Sequence, residues 1–226
     1  MMARMRHTLH LCFKPHYWVA YIASLVGVVG IAIAAHDWRP ETTAAYFTGY
    51  FELFGSIAVA IGLAHVFTVD QDEGAKEVLL TYPASQRRLG LERLIAGFML
   101  SAGPLLLIAG ALHIYARHAL GPDSAQVIRL DAILLDSAVS WLYLAGIALL
   151  VSTLANNGLA GLFASGLYWV TDLLSHGKFT SVFFLFARTF PSATLSADVN
   201  RMMLAMAGVL TCTMAIFLFG RQPARW

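Results

Sequence analysis

The sequence predicts an all-α, polytopic membrane protein with six transmembrane helices. Apolar residues make up 58% of the chain and charged residues 12%, which is about half the charged share of a typical soluble domain. The charges are concentrated between long stretches that are nearly free of them, as in membrane proteins. Because the apolar stretches are continuous rather than alternating, they are expected to be helices.

Six stretches approach the ~20 residues that a helix needs to cross ~30 Å of hydrocarbon. They cover residues 17–35, 47–69, 94–115, 132–154, 159–174 and 202–220. The fifth is the shortest and is expected to cross with little tilt. Residues 32–34 resemble a signal-peptide cleavage site. The first stretch is nevertheless longer than a signal core and is followed by five more spans, so it is expected to be retained. Residues 1–226 are therefore treated as one transmembrane domain.

The distribution of basic residues predicts the orientation. Nine of the fifteen Lys and Arg residues lie at the N-terminus, in the segment 70–93 or at the C-terminus, and six lie on the other side. By the positive-inside rule, both termini and the segment 70–93 are expected in the cytoplasm. Residues 1–16 have a basic and an apolar face, which predicts a helix lying in the cytoplasmic interface before the first span.

The predicted outer side carries its longest connection at residues 175–201. Residues 179–190 are apolar but only twelve in number, too few to cross the bilayer. They predict a short re-entrant or interfacial helix that ends at Pro191.

Ionisable residues inside the spans are costly in lipid and are therefore candidates for function. Glu52 is predicted about one turn inside the outer end of the second span, and Asp136 and Asp172 lie at similar depth in the fourth and fifth. With Arg129 and Arg188 in the neighbouring loops, they are expected to gather at the outer rim. Two interpretations stay open: a polar vestibule or exit gate, and ordinary interfacial charges that pair with their neighbours.

Small residues at four-residue spacing mark faces where helices can approach closely. One such spacing begins at Ala23, and the candidates for helix packing between subunits are Gly27, Gly30, Ala34, Gly161 and Ser165. Neither cysteine (Cys12 and Cys212) has a metal-ligand spacing, and no span contains two histidines at the spacing of a ligand pair. No metal site is predicted.

The segment 70–93 has the highest charge density in the chain. Asp70, Asp72 and Glu73 precede Gly74, where negative charge favours a helix N-terminus. A short helix is predicted over residues 74–82, and Pro83 ends it. Ser85 then caps a second helix, which runs from residue 86 through residue 93 into the third span.

This segment resembles the cytoplasmic loop of type-2 ABC transporter permeases. The shared pattern is Glu-Gly-x-x-Glu-x-Leu-Leu-x-x-Pro-x-Ser at residues 73–85, followed by a basic pair and by Arg93 at the entry to a span. The chain departs from the family at Ala75, usually Thr, and at Gln86, often basic. The motif covers only the loop, whereas the layout of leader, six spans and outer segment covers nearly the whole chain.

The resemblance implies an exporter subunit of a bacterial or archaeal cytoplasmic membrane, driven by a separate ATPase. In that family the loop forms a coupling helix that docks on the ATPase, which is present in two copies and binds ATP and Mg. Two permease subunits, identical or paralogous, dimerise largely through their first and fifth spans. The residues expected to couple to the ATPase are Glu73, Gly74, Glu77, Leu79, Leu80, Pro83, Ser85, Arg87 and Arg88.

The chain itself carries no Gly-x4-Gly-Lys-[Ser/Thr] nucleotide-binding pattern. It is therefore expected to be no enzyme, and ATP hydrolysis would occur in the partner. Two other classes stay open, a secondary transporter and a haem- or metal-handling membrane protein. A secondary transporter is expected to show internal repeats and polar groups at the midplane of the membrane. A haem- or metal-handling protein is expected to show clustered ligand residues. No nucleic acid partner is indicated, and the substrate is not predicted.

Overall fold

The computed structural model describes residues 39–68, 86–119, 121, 128–191 and 196–220, together with Ile22, Leu25, Val26, Val29 and Gly30. All regular structure in this part of the chain is helical. Four helices in it are long and apolar enough to cross a membrane, which indicates a membrane protein. The predicted interfacial helix at 1–16, the predicted helix at 74–82 and most of the first span lie outside the described residues.

Helix α1 comprises Pro40–Ala64 and contains one π-helical turn, Phe51–Gly55. It begins seven residues before the predicted boundary, because Pro at the first helical position and an acidic residue in the first turn favour a helix start that hydropathy does not detect. Thr43 also donates its hydroxyl hydrogen to the Arg39 carbonyl at 3.2 Å. Glu52 is therefore three turns into its helix and not one.

Helix α2 comprises Gln86–Ala119. In the described part of the chain it runs from Gln86 through Arg93 into the apolar stretch without interruption, as the sequence predicts. It also continues through Pro104.

Helices α3 (Leu130–Ala155) and α4 (Gly158–Ser175) are joined by a two-residue turn. Asn156 ends α3 in the left-handed conformation, with φ 51°. Asn157 then caps α4 by accepting a hydrogen bond from the Leu159 amide at 2.9 Å. Helix α4 matches the predicted fifth span within one residue at each end. With 18 residues, or ~27 Å, it is not among the four helices that satisfy both the length and the hydropathy of a membrane span.

Helix α5 comprises Ala197–Phe219, capped by the Ser196 hydroxyl, which accepts a hydrogen bond from the Val199 amide at 3.3 Å. Helix α3 lies at the centre of the bundle and packs against α1, α4 and α5, whereas α2 packs against α1 and α5. The end of the bundle where α1 ends and α2 begins is called the loop end, and the opposite end is called the cap end. Phe163 on α4 and Leu107 on α2 are 73% and 77% exposed, so large apolar side chains face outward as they do toward lipid.

Candidate functional site

Residues 176–191, called the cap segment, connect α4 to α5 across the cap end. The sequence predicts a short helix here, but the segment consists of turns and one short 3-10 helix, Ser181–Phe183. Phe184, Leu185 and Phe186 are nonetheless at most 3% exposed. A non-helical backbone that is buried this deeply needs hydrogen-bond partners from elsewhere, and side chains of the helices provide them.

The chain reverses direction at the end of α4 through two residues in the left-handed region, His176 (φ 48°) and Gly177 (φ 76°). A Cβ atom on Gly177 would lie 2.6 Å from the ring of Phe184. Glycine is therefore needed for the backbone conformation and for the close approach of this ring.

Glu52 lies at the centre of a buried cluster of polar side chains that contact the cap segment. Its carboxylate is 0% exposed and accepts hydrogen bonds from the Thr189 amide at 2.8 Å, the Thr189 hydroxyl at 2.5 Å and the Arg188 amide at 3.3 Å. It also forms an ion pair with Arg201 of α5. One carboxylate thus joins α1, α5 and residues 188 and 189 of the cap segment.

Arg201 connects this carboxylate to the middle of the cap segment. Its guanidinium donates to the Ser140 hydroxyl at 2.6 Å and to the Leu185 carbonyl at 3.4 Å. Ser140 in turn donates to the same carbonyl at 2.8 Å. A buried ion pair offsets its desolvation cost only when further hydrogen bonds satisfy its remaining polar atoms. Here Ser140 and Leu185 bind Arg201 Nη1 and Thr189 binds the Glu52 carboxylate, whereas Arg201 Nε has no hydrogen-bond partner among the described residues.

Asp172, in the last turn of α4, binds the cap segment at residues 180 and 185. It is 0% exposed and accepts a hydrogen bond from the Leu185 amide at 2.6 Å and another from the Thr180 hydroxyl. A carboxylate at a helix C-terminus is opposed by the helix dipole. The two donated hydrogen bonds compensate for this unfavourable position.

Two further side chains bind carbonyl groups in the middle of the cap segment. The Asn200 amide nitrogen donates to the Val182 carbonyl at 2.9 Å and to the Phe184 carbonyl at 3.0 Å. The Tyr168 hydroxyl donates to the Phe183 carbonyl at 2.9 Å. The cap segment is therefore held by polar side chains from α1, α3, α4 and α5.

At the rim of the cluster, Arg188 pairs with Asp136 of α3 at 3.0 Å and with Asp198 of α5 at 3.5 Å. The side chains of Arg188, Asp136 and Asp198 are 40%, 32% and 92% exposed. Exposed pairs of this kind contribute ~0–1 kcal/mol. The buried pair beneath them is thus the stronger restraint on the segment.

The π-helical turn that carries Glu52 is itself held by two tryptophans. The Trp141 indole donates to the Phe51 carbonyl at 2.7 Å, and the Trp169 indole donates to the Leu53 carbonyl at 2.8 Å. A Cβ atom on Gly55 would lie 2.6 Å from the Trp141 ring, so glycine makes room for it. Single π turns inside α-helices are frequently found at functional sites.

Replacing Trp141 with phenylalanine tests this arrangement. The Phe51 carbonyl would lose its indole donor in a buried position, and we expect the free energy of unfolding to fall by about 1–3 kcal/mol. The measurement is unfolding by SDS in mixed micelles. Trp169→Phe, at a half-buried position, is expected to cost less. Equal stability of Trp141→Phe and the unmodified chain would contradict the proposed role of the indole.

The structure brings together three of the four residues predicted for an outer gate. Glu52 and Asp136 both contact Arg188, through its amide and its guanidinium respectively. Asp172 holds the same segment about three residues away from them. Arg129, expected in this cluster, instead pairs with Asp131 at 3.6 Å.

Most of the residues predicted to couple to an ATPase lie outside the described residues: Glu73, Gly74, Glu77, Leu79, Leu80, Pro83 and Ser85. The two that are described both have contacts within the chain. Arg87 lies over the Phe217 ring, 4.1 Å from its centroid, and Arg88 pairs with Glu92 at 3.2 Å.

Among the predicted subunit-packing residues, Gly27 and Ala34 lie outside the described part of the chain. A Cβ atom added to Gly30 has no neighbour within 4 Å among the residues that the structure describes. Gly161 packs within the chain, where a Cβ atom would overlap Ser152 and the Ala148 carbonyl of α3. Ser165 is also buried, and donates to a carbonyl of its own helix at 3.1 Å. The Gly161 surface of α4 is thus already occupied by α3.

The sequence interpretation did not identify Arg201, Asn200, Ser140 or Thr189 as part of the cluster. For Arg201 and Asn200 the sequence did contain one relevant pattern, the start of the helix that carries them. Ser196 followed by an acidic residue two positions later is a helix-start pattern, and it places Arg201 inside α5 rather than in a loop. Ser140 and Thr189 carried no comparable signal.

Within the described residues, no group of three His, Cys, Asp or Glu side chains is arranged to hold a metal ion. No protein-family model matches the chain, and no curated protein matches it either.

Proposed function

We propose that this chain is the membrane-spanning subunit of an ATP-driven ABC exporter. It would dock on a separate ATPase through the loop between α1 and α2. The observation that carries the proposal is the pattern at residues 73–85, which resembles a coupling helix. Two copies of the ATPase, with their ATP and Mg, and a second permease subunit would complete the transporter in a prokaryotic cytoplasmic membrane.

Two structural features support this proposal. On either side of the loop, the Phe67 ring after α1 stacks on Phe219 at the end of α5, and a Cβ atom on Gly90 of α2 would lie 3.1 Å from the same ring. The described residues on both sides of the loop therefore pack against one side chain of α5. At the opposite end, the cap segment is packed into the bundle with three residues at most 3% exposed. A transport subunit open to the cytoplasm needs a closed outer side, and the cap segment would supply it.

One observation favours a secondary transporter as a second candidate. Glu52 is the thirteenth of the 25 residues of α1, is 0% exposed and pairs with Arg201. Ionisable pairs inside membrane helices often belong to ion or proton pathways. Stable association with an ATPase separates the two candidates, since a secondary transporter needs none.

The proposal predicts that an ATPase copurifies with the chain and that the loop is its docking site. Glu77→Arg should reduce copurification by more than tenfold, because a reversed charge in a docked interface costs several kcal/mol. Tagged chain and neighbouring genes would be coexpressed, and the ATPase quantified per chain after detergent extraction.

Asp131→Arg provides the matched control, since its side chain is 77% exposed at the cap end and carries the same charge reversal. It should leave copurification unchanged. Equal amounts of ATPase with Glu77→Arg, Asp131→Arg and unmodified chain would contradict the assignment of the loop.

A further inference from the structure

Phe219, in the last turn of α5, forms a junction at the loop end. Its ring stacks on Phe67 with 4.8 Å between centroids, and the Arg93 guanidinium lies 5.7 Å from its centroid. A Cβ atom on Gly90 would lie 3.1 Å from the same ring. Because Phe67 precedes the loop and Gly90 and Arg93 follow it, both sides of the loop contact one side chain of α5.

Helix α5 is packed closely along α3 between its two ends. A Cβ atom on Gly208 would lie 3.0 Å from the Tyr143 amide nitrogen, and one on Gly146 would overlap Thr211. Where glycines face each other in this way, the two helix backbones approach closely and their relative position is tightly restricted. Close packing of this kind leaves little room for local repacking, so it transmits strain along α5 rather than absorbing it.

At the cap end, the first two turns of α5 hold the cap segment. Asn200 binds the Val182 and Phe184 carbonyls, and Arg201 binds the Leu185 carbonyl and Glu52. Arg201 and Phe219 are 18 positions apart, or ~27 Å along the helix. The same helix thus contacts both sides of the loop at one end and the centre of the cap segment at the other.

We infer that α5 is the mechanical link between the loop and the cap segment, with Phe219 as the positioning residue at the loop end and Asn200 and Arg201 at the cap end. A force on the loop acts on Phe219 through the residues on both sides of the loop and shifts α5. This shift changes the hydrogen bonds that Asn200 and Arg201 donate to carbonyl groups of the cap segment. The inference deepens the proposed function and rests on it for one point only, that a docked ATPase supplies the force on the loop. The contacts that link the loop end to the cap segment belong to the chain itself.

Hydrogen–deuterium exchange of the full chain in lipid nanodiscs tests the link without an ATPase. The probes are the cap amides bound by carboxylates, those of Leu185, Arg188 and Thr189. Phe219→Ala is expected to raise their exchange by about two- to thirtyfold, the range that corresponds to coupling of ~0.5–2 kcal/mol through a packed network. Amides of residues 162–167, in the middle of α4, should not change, because α4 packs against α3 and α1.

Phe163→Ala is the control, because the same substitution at a 73% exposed position of α4 removes no junction contact and should leave the cap amides unchanged. By reciprocity, Asn200→Ala should raise exchange at residues 86–93. If Phe219→Ala does not fold, Phe219→Leu keeps the apolar volume and replaces it.

A rise confined to residues 86–93 in the Phe219 variant would overturn the inference. A rise that extends equally to residues 162–167 would also overturn it, since the effect would then be global unfolding. Failure of ATPase copurification would contradict the proposed function while leaving this result untouched.

Discussion

Replacing Arg201 with alanine is expected to lower the free energy of unfolding by about 3–5 kcal/mol, the cost of breaking a buried ion pair from one side. The Glu52 carboxylate would remain fully buried without its counter-charge. Ser140 would also lose the guanidinium that donates to its hydroxyl. Unfolding by SDS in mixed micelles measures the change.

Two variants make this result specific to the buried pair. Arg188→Ala removes a partly exposed arginine whose carboxylate partners lie at the rim, and its expected cost is at most ~1 kcal/mol. The double variant Glu52→Gln with Arg201→Met should recover part of the lost stability, because neither charge is then left unpaired. If Arg201→Ala were no more destabilising than Arg188→Ala, the buried pair would not hold the cap segment.

Gly161→Ala is expected to cost about 1–3 kcal/mol, as overpacking of a close-packed interface does. The added methyl group would overlap the Ala148 carbonyl and the Ser152 hydroxyl of α3. The carbonyl is part of a helix backbone, so it cannot rotate away as a flexible side chain can. The same unfolding assay, applied to the purified chain, measures the effect.

Gly166→Ala is the matched control, since a Cβ atom added there has no neighbour within 4 Å among the described residues. Without a clash, the higher helix propensity of alanine leaves stability unchanged or raises it by up to ~1 kcal/mol. If Gly166→Ala instead weakened association between subunits, that face of α4, and not the face of Gly161, would be the subunit contact. Equal effects of both variants on unfolding would contradict the close α3–α4 packing.

The helices were predictable because each depends on local or compositional signals. Hydropathy located α3 and α4 within two residues of their observed ends, and the predicted continuation of a helix from residue 86 through Arg93 into the apolar stretch is confirmed. The start of α1 was missed because Pro40 and Glu41 belong to a polar first turn, which hydropathy assigns to a loop.

The candidate site was only partly predictable because its contacts join residues distant along the chain. Depth in the spans was enough to group Glu52 and Asp136, and the position of Arg188 in a neighbouring loop was enough to add it to them. The pairing of Glu52 with Arg201 depends on how α1 and α5 pack, and no local pattern encodes it. The cap segment was predicted as a helix from its apolar residues, but its carbonyls bind Asn200, Tyr168 and Ser140 instead.

Copurification of an ATPase with the unmodified chain and with Glu77→Arg tests the central claim most directly. The account predicts an ATPase that hydrolyses ATP, is recovered with the unmodified chain and with Asp131→Arg, and is reduced more than tenfold with Glu77→Arg. Recovery of the chain without any ATPase, or the same recovery with all three chains, would contradict it.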